Sequence, residues 1–312
     1  MQKVALFYNP ASGRRMQRRH YVVEEAAAIL RSAGKEVLVD ATRGPGTAAA
    51  QVRDALARNC DTVVIAGGDG TINDALQGLS GNDAALGVIP MGTGNVLAHD
   101  LGLARHPREA ARQLLRFQSR RIALGKVEFT GQNGERASRW FISVAGVGGS
   151  AKLMYDVHAA VKGRHGMAAY YLQMTRLALL HPFASFNVEY RDPQGTMQRS
   201  SAAEADAVRI TNFGGLMRRW AWGAELQRDD AQLVLFTTSN RARFLHYTFG
   251  RILGTKWRTP GVEMVHAKEI VCTASSPGQR LYAEADGEYI GGTPVKITIV
   301  PNMLNLLMNA KA

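Results

Sequence analysis

The stretch Thr62-Val63-Val64-Ile65-Ala66-Gly67-Gly68-Asp69-Gly70-Thr71-Ile72-Asn73-Asp74 decides how the first part of the chain is read. Its opening residues are apolar or β-branched without a break, as in a strand covered on both faces within a parallel sheet. Two glycines then turn the chain into a helix. At such a turn, free backbone N–H groups and the positive end of the helix dipole favour an anion.

Two more turns of this kind lie to either side, Asn9-Pro10-Ala11-Ser12-Gly13 and Met91-Gly92-Thr93-Gly94-Asn95. Each follows an apolar segment and precedes a helical one. Strands are expected over residues 3–8, 36–40, 62–66 and 86–90. Helices are expected over 17–33, stopped by Gly34, and over 47–58, with Thr47 as N-cap. Alternating strand and helix signals predict a doubly wound α/β Rossmann-like domain whose ligand crevice opens at the carboxyl ends of the strands. After residue 121 short alternating segments take over and predict an antiparallel β-sandwich, interrupted by a helical stretch over 155–180. The expected division is 1–121 for the first domain, with 297–312 returning to it, and 122–296 for the second. Residues 295–300 read as a strand and 303–309 as a short helix.

One loop of this type is weak evidence for a phosphate site, because glycine is common in any strand-to-helix turn. Three aligned on one sheet make a polyanion cradle. There is no Gly-x-x-x-x-Gly-Lys-Ser/Thr sequence, and Leu97 occupies the place where the dinucleotide fingerprint Gly-x-Gly-x-x-Gly needs a small residue. Asp69 stands inside a loop shaped for anions and would repel phosphate unless a cation bridges them, which Mg²⁺ commonly does. Its alternative role is to cap the turn.

Near the other end lies Tyr282-Ala283-Glu284-Ala285-Asp286-Gly287-Glu288-Tyr289-Ile290-Gly291-Gly292. On turn chemistry alone, Asp-Gly between alternating segments is a hairpin. The four motifs in this order resemble the catalytic domain of diacylglycerol kinases and sphingosine kinases, the bacterial soluble lipid kinases most of all. That resemblance implies a C-terminal β-sandwich, ATP and Mg²⁺ at the domain junction, and transfer of the γ-phosphoryl group to a lipid hydroxyl, with diacylglycerol as leading acceptor. It implies nucleotide contacts at Asn9, Pro10, Ala11, Ser12, Gly13, Thr42, Gly67, Gly68, Asp69, Gly70, Thr71, Ile72, Asn73 and Thr93. Glu288 would take the proton of the attacking alcohol, with Asp286 in the metal or water network beside it and Asp69 meeting the metal through phosphate or water.

Two positions depart from the family pattern. Val96 stands where relatives often carry an Asp of the magnesium network, and Asp100, one helical turn later, is the candidate substitute. In Asp229-Asp230-Ala231, where some relatives bind a structural magnesium through Asp-Asp-Gly, Asp230 is the candidate ligand, set against an ordinary solvated charge.

The composition narrows the partners. The chain has 312 residues with 38 Lys and Arg against 26 Asp and Glu, a net charge of +12, yet 46% of it is hydrophobic. That excludes disordered and fibrous classes. Cys60 and Cys272 match no metal-ligand spacing. Residues 241–258 contain five Lys and Arg, four aromatics and no acid, which suits a helix lying on an anionic bilayer or a partly buried helix with a basic edge. Arg218 and Arg219 beside Trp220 and Trp222 extend that surface. A cytoplasmic protein in peripheral contact with membrane is expected, with no nucleic acid as partner and a homodimer left open. Two other readings stay open: a kinase of a soluble alcohol related to NAD kinase or phosphofructokinase, and a nucleotide- or nucleic-acid-binding regulator without turnover.

Overall fold

The computed structural model describes residues 1–10, 19–131, 133–160, 184–211, 223–252 and 257–310. The first domain runs β1 (Lys3–Tyr8), α1 (Arg19–Ser32), β2 (Glu36–Ala41), α2 (Ala48–Ala57), β3 (Thr62–Gly67), α3 (Asp69–Leu79), β4 (Ala85–Pro90), α4 (Val96–Asp100) and α5 (Pro107–Leu114). Strands β2, β1, β3 and β4 pair in parallel in that order. Both β3 and β4 are buried along their whole length, which explains why neither alternates in sequence.

Helix α1 buries Val23, Ala26, Ala27 and Leu30 against the sheet. Gly34, at φ +77°, ends it, and the Lys35 N–H reaches the Leu30 carbonyl at 3.2 Å. The start of α2 differs from expectation. Thr47 makes no capping bond to the helix and donates its hydroxyl to the Gly44 carbonyl at 2.7 Å. Asp74 on α3 instead accepts the Ala48 N–H at 3.0 Å, so the cap comes from the neighbouring helix.

The second part runs β5 (Gln118–Thr130), β6 (Arg136–Phe141), β7 (Val144–Gly148), α6 (Gly149–Ala160), β8 (Phe186–Arg191), β9 (Met197–Ala202), β10 (Glu204–Val208), β11 (Ala231–Phe236), α7 (Arg241–Ile252), β12 (Val262–Ala267), β13 (Glu269–Thr273), β14 (Tyr282–Ala285) and β15 (Glu288–Met308). Its pairings are antiparallel, as expected of a sandwich. The stretch expected to be helical over 155–180 coincides with α6 up to Ala160; residues 161–183 lie outside the described part. A second core gathers Phe141, Phe186, Val188, Leu233, Leu235 and Ile270. Cys272 lies in it, its thiol pushed up to about 12 by burial and by the charge of Asp206.

Residues 303–309 are not helical as expected. Residues 303–308 complete β15, which pairs antiparallel with β5 in the sandwich, shifts register between Val300 and Leu304, and continues beside β5 into the first domain. There Asn305 and Leu306 pair in parallel with Ala85 and Leu86 of β4. Leu304, Leu306, Leu307 and Met308 are all buried, and strand partners on both sides override the helix propensity of leucine. One 21-residue strand therefore belongs to both domains.

Candidate active site

The crevice is built first by absent side chains. A Cβ on Gly92 would come 2.4 Å from the Gly68 Cα, and one on Gly68 would come 3.1 Å from the Gly92 Cα, so the turns after β3 and β4 touch backbone to backbone. Asn95, at φ +49°, holds the second turn: its Oδ1 accepts the Gly92 N–H at 2.8 Å, and its Nδ2 donates to the Gly92 carbonyl at 2.8 Å. The Asn9 amide donates to the Thr71 hydroxyl at 3.2 Å, and the Thr42 N–H donates to the Tyr8 carbonyl at 2.8 Å. Thus the ends of β1 to β4 meet at one rim.

Within this rim Asp69 takes the first helical position of α3, and its Oδ1 accepts the Leu97 N–H at 3.3 Å. It caps α4 in trans while its other oxygen faces Gly94. Thr93 is exposed at the rim, whereas Ile72 is packed in the core. Asn73 is fully buried; its Oδ1 accepts from Gln77 at 3.1 Å, and its Nδ2 has no partner among the described residues. Ala11, Ser12 and Gly13 lie outside the described residues.

The hairpin joining β14 to β15 turns at Asp286 and Gly287, with φ of +49° and +80°, the left-handed pair of a type I′ turn. It brings Glu288 to the glycine loop: a Cβ on Gly70 would stand 3.2 Å from Glu288 Oε1. The other oxygen, Oε2, accepts from Arg139 Nη2 at 2.6 Å. Sequence gave no signal for Arg139, which is 149 positions away on β6. Asp286 is spent differently from Glu288. Its carboxylate accepts the N–H groups of Ile142, Ser143 and Val144 at 2.9, 2.7 and 3.0 Å, clamping the β6–β7 junction. Burial raises its carboxyl to about 6 against these three hydrogen bonds, and the charge of Asp69 adds to the rise.

Behind the hairpin lies a group that sequence reading missed. Asp206, Gly146 and Glu284 sit opposite one another on β10, β7 and β14. Gly146 leaves room for the two carboxyls to lean together, since a Cβ there would stand 2.4 Å from Asp206 Oδ1 and 3.4 Å from Glu284 Oε1. Glu204, one strand pair further along, accepts the Gly149 and Ser150 N–H groups at the start of α6. Burial first, and the charge of Asp206 second, drive the carboxyls of Glu204 and Glu284 well above the usual range; Asp206 rises to about 6 by burial.

The two candidate substitutes for family metal ligands face other partners. Asp230 receives a forked pair of bonds from Arg228, at 2.7 and 2.8 Å, and stands 3.0 Å from His266 Nδ1. Burial would raise its carboxyl, but the bonds and charges of Arg228 and His266 outweigh that and hold it low. In this structure the Arg228 guanidinium and the His266 ring, rather than a metal ion, face the Asp230 carboxylate. Among the described residues no cluster of three or more His, Cys, Asp or Glu could hold a metal ion. Asp100 is buried and accepts the Thr211 N–H at 2.9 Å, and its carbonyl accepts the Gly223 N–H at 3.0 Å, so it holds both of those residues.

Both parts of the chain match known domain families. Residues 3–127 match the diacylglycerol kinase catalytic domain, and residues 144–308 match the YegS C-terminal NAD kinase beta sandwich-like domain. The chain is 29% identical to a diacylglycerol kinase of Bacillus subtilis (strain 168), covering 99% of this chain and 97% of the relative. It is 27% identical to a diacylglycerol kinase of Staphylococcus saprophyticus, covering 98% and 93%. Among solved structures, a putative diacylglycerol kinase from Bacillus anthracis str. Sterne superposes with a TM-score of 0.74 at 19% identity, over 99% of this chain and 98% of the other. With its α/β domain, its β-sandwich and both domain matches in order, the chain belongs to the diacylglycerol kinase catalytic-domain family and is a kinase of that family.

Proposed function

We propose that the protein transfers the γ-phosphoryl group of ATP to the hydroxyl of a lipid alcohol, with diacylglycerol as the leading acceptor. The observation that carries this reading is the approach of Glu288 to Gly70, which sets a carboxylate from the sandwich against the anion-binding loop of the α/β domain. The glycines at 68 and 92 let the two turns meet backbone to backbone, so both strand-to-helix turns lie at one rim, where a triphosphate could lie against main-chain N–H groups.

An acceptor hydroxyl in this crevice would give its proton to Glu288 as its oxygen attacks the γ-phosphorus. Asp69 fits a divalent ion, because Mg²⁺ is usually held by one or two carboxylates, substrate phosphates and water rather than by a protein cage. When bound there, such an ion would neutralise phosphate charge next to the Asp69 carboxylate.

A bilayer-borne acceptor also needs a docking face, and α7 supplies one. Phe244 and Tyr247 pack on Phe236, with ring centroids 5.4 and 5.0 Å away. The opposite face exposes Leu245 and Phe249, with Trp257 beside them and Arg241, Arg243 and Arg258 around them. Arg218, Arg219, Trp220, Trp222 and Lys256 lie outside the described residues. No helix of the described residues is long and apolar enough to cross a membrane, so contact of this kind would be peripheral.

The test is transfer of label from γ-labelled ATP, with Mg²⁺, to individual lipids in mixed micelles. Labelled phosphatidic acid from diacylglycerol is the expected result. Label on another lipid would change the acceptor, and no label on any lipid would overturn the reading.

A further inference from the structure

The three phosphate loops lack a cation of their own: residues 9–13, 67–73 and 91–95 contain no Lys or Arg. Backbone N–H groups can orient a phosphate, but charge on the transferring group is better met by a full positive charge placed in advance. The structure brings one to the site from the other domain. Arg139 Nη2 lies 2.6 Å from Glu288 Oε2, and the second oxygen of the same carboxylate faces Gly70. The guanidinium therefore lies within one side chain of the loop.

Arg139 is held there firmly. The next residue, Trp140, donates its N–H to Gln77 Oε1 at 3.0 Å and accepts from Gln77 Nε2 at 2.9 Å, so a side-chain amide of α3 pairs with β6 as a strand would. Helix α3 begins in the phosphate loop, and this pairing fixes β6 to it. The guanidinium also has capacity to spare. Of its five N–H donors, only one bond to Glu288 is made among the described residues, and Nε is buried with no partner there.

We propose that Arg139 is the catalytic cation of this site. With no nucleotide bound, it pairs with Glu288. With ATP bound, its fork hydrogen-bonds oxygens of the γ-phosphoryl group and leaves Glu288 to the acceptor. The acceptor oxygen then bonds to the γ-phosphorus, the bond from that phosphorus to the β,γ-bridging oxygen breaks, and ADP leaves with the electron pair. The acceptor proton passes to Glu288, and Arg139 stays charged throughout. This proposal rests on reading the crevice as a phosphoryl-transfer site.

The experiment compares wild type, Arg139→Gln and Arg139→Lys by calorimetric titration with ADP and with the β,γ-imido analogue of ATP, and by steady-state kinetics. For Arg139→Gln, ADP affinity is expected to stay unchanged while analogue affinity falls about tenfold or more, the effect of losing a charge-assisted bond. The kcat is expected to fall about 10²- to 10³-fold with little change in KM for the lipid. Arg139→Lys keeps the charge without the fork, so it should recover part of both losses; it also gives the same comparison if the Gln variant does not fold. Equal loss of ADP and analogue affinity, or loss of neither, would overturn the proposal while leaving the kinase reading intact. A wild-type protein that binds neither nucleotide would overturn the kinase reading, and this proposal with it.

Discussion

At the scale of single residues, Asp286 and Glu288 lie two positions apart and do different work. Asp286 has three main-chain N–H groups on its carboxylate and shapes the turn; Glu288 has one side-chain partner and faces the loop. Glu288→Gln keeps the shape but cannot accept a proton. It is expected to lower kcat by about 10²- to 10⁴-fold while ADP binds as in wild type by calorimetry, and full activity would remove the base assignment. Gly92→Ala tests the cradle instead. Its new methyl would meet the Gly68 backbone, which has no flexible end to yield, so nucleotide affinity should drop and the thermal midpoint should fall, at a cost of about 1–3 kcal/mol for overpacking. Glycines, Asp69 and the Asp-Gly-Glu turn are legible in sequence because each is a local demand of turn geometry or charge. Arg139 was not legible, since nothing near it in sequence shows that β6 will lie beside a hairpin some 150 positions on.

At the scale of elements, the misreadings share a cause: a neighbour in space supplied what the local sequence suggested would come from within. The cap of α2 comes from Asp74 on α3, and the residues after Asn302 stay extended because β5 and β4 offer them partners on both sides. The row across β10, β7 and β14 was hidden similarly, because Asp206 and Glu284 meet only over Gly146. That row has a measurable consequence. Asp206 titrates at about 6 when folded, above the ordinary 3.8, so the folded chain holds this proton more tightly than the unfolded one. The stabilisation from it is fully present below about pH 4 and is lost as pH climbs through 6, and Asp286 adds a loss of the same sign. Replacing Asp206 by Asn removes the group that must ionise. The variant's thermal midpoint is expected to exceed that of wild type at pH 8, with the difference shrinking or reversing toward pH 4. A difference that does not depend on pH would show that Asp206 carries its charge at no cost.

At the scale of the whole molecule, the two domains are continuous in backbone, because β5 and β15 run side by side from the sandwich into the parallel sheet. The crevice walls are therefore fixed to each other, and the side chains that close the site, Glu288 and Arg139, come from strands of one wall against the glycine loops of the other. The positive excess is spread over the chain rather than gathered in a tail. Part of it rings the exposed apolar residues of α7, and this can be separated from catalysis. A water-soluble acceptor presents no surface of anionic headgroups, so charge on α7 should matter only when the acceptor is in a bilayer. Each basic residue near an anionic surface contributes about 1 kcal/mol. Changing Arg241, Arg243 and Arg258 together to Gln should thus weaken partition onto vesicles rich in phosphatidylglycerol by about 100-fold at low salt, with a smaller effect as salt screens the surface. Turnover of a short-chain, water-soluble acceptor should be unchanged, because these residues lie on the outer face of α7 and its flank. Vesicle binding that is unaltered in the triple variant would remove α7 from the membrane contact and leave its aromatic face without that role.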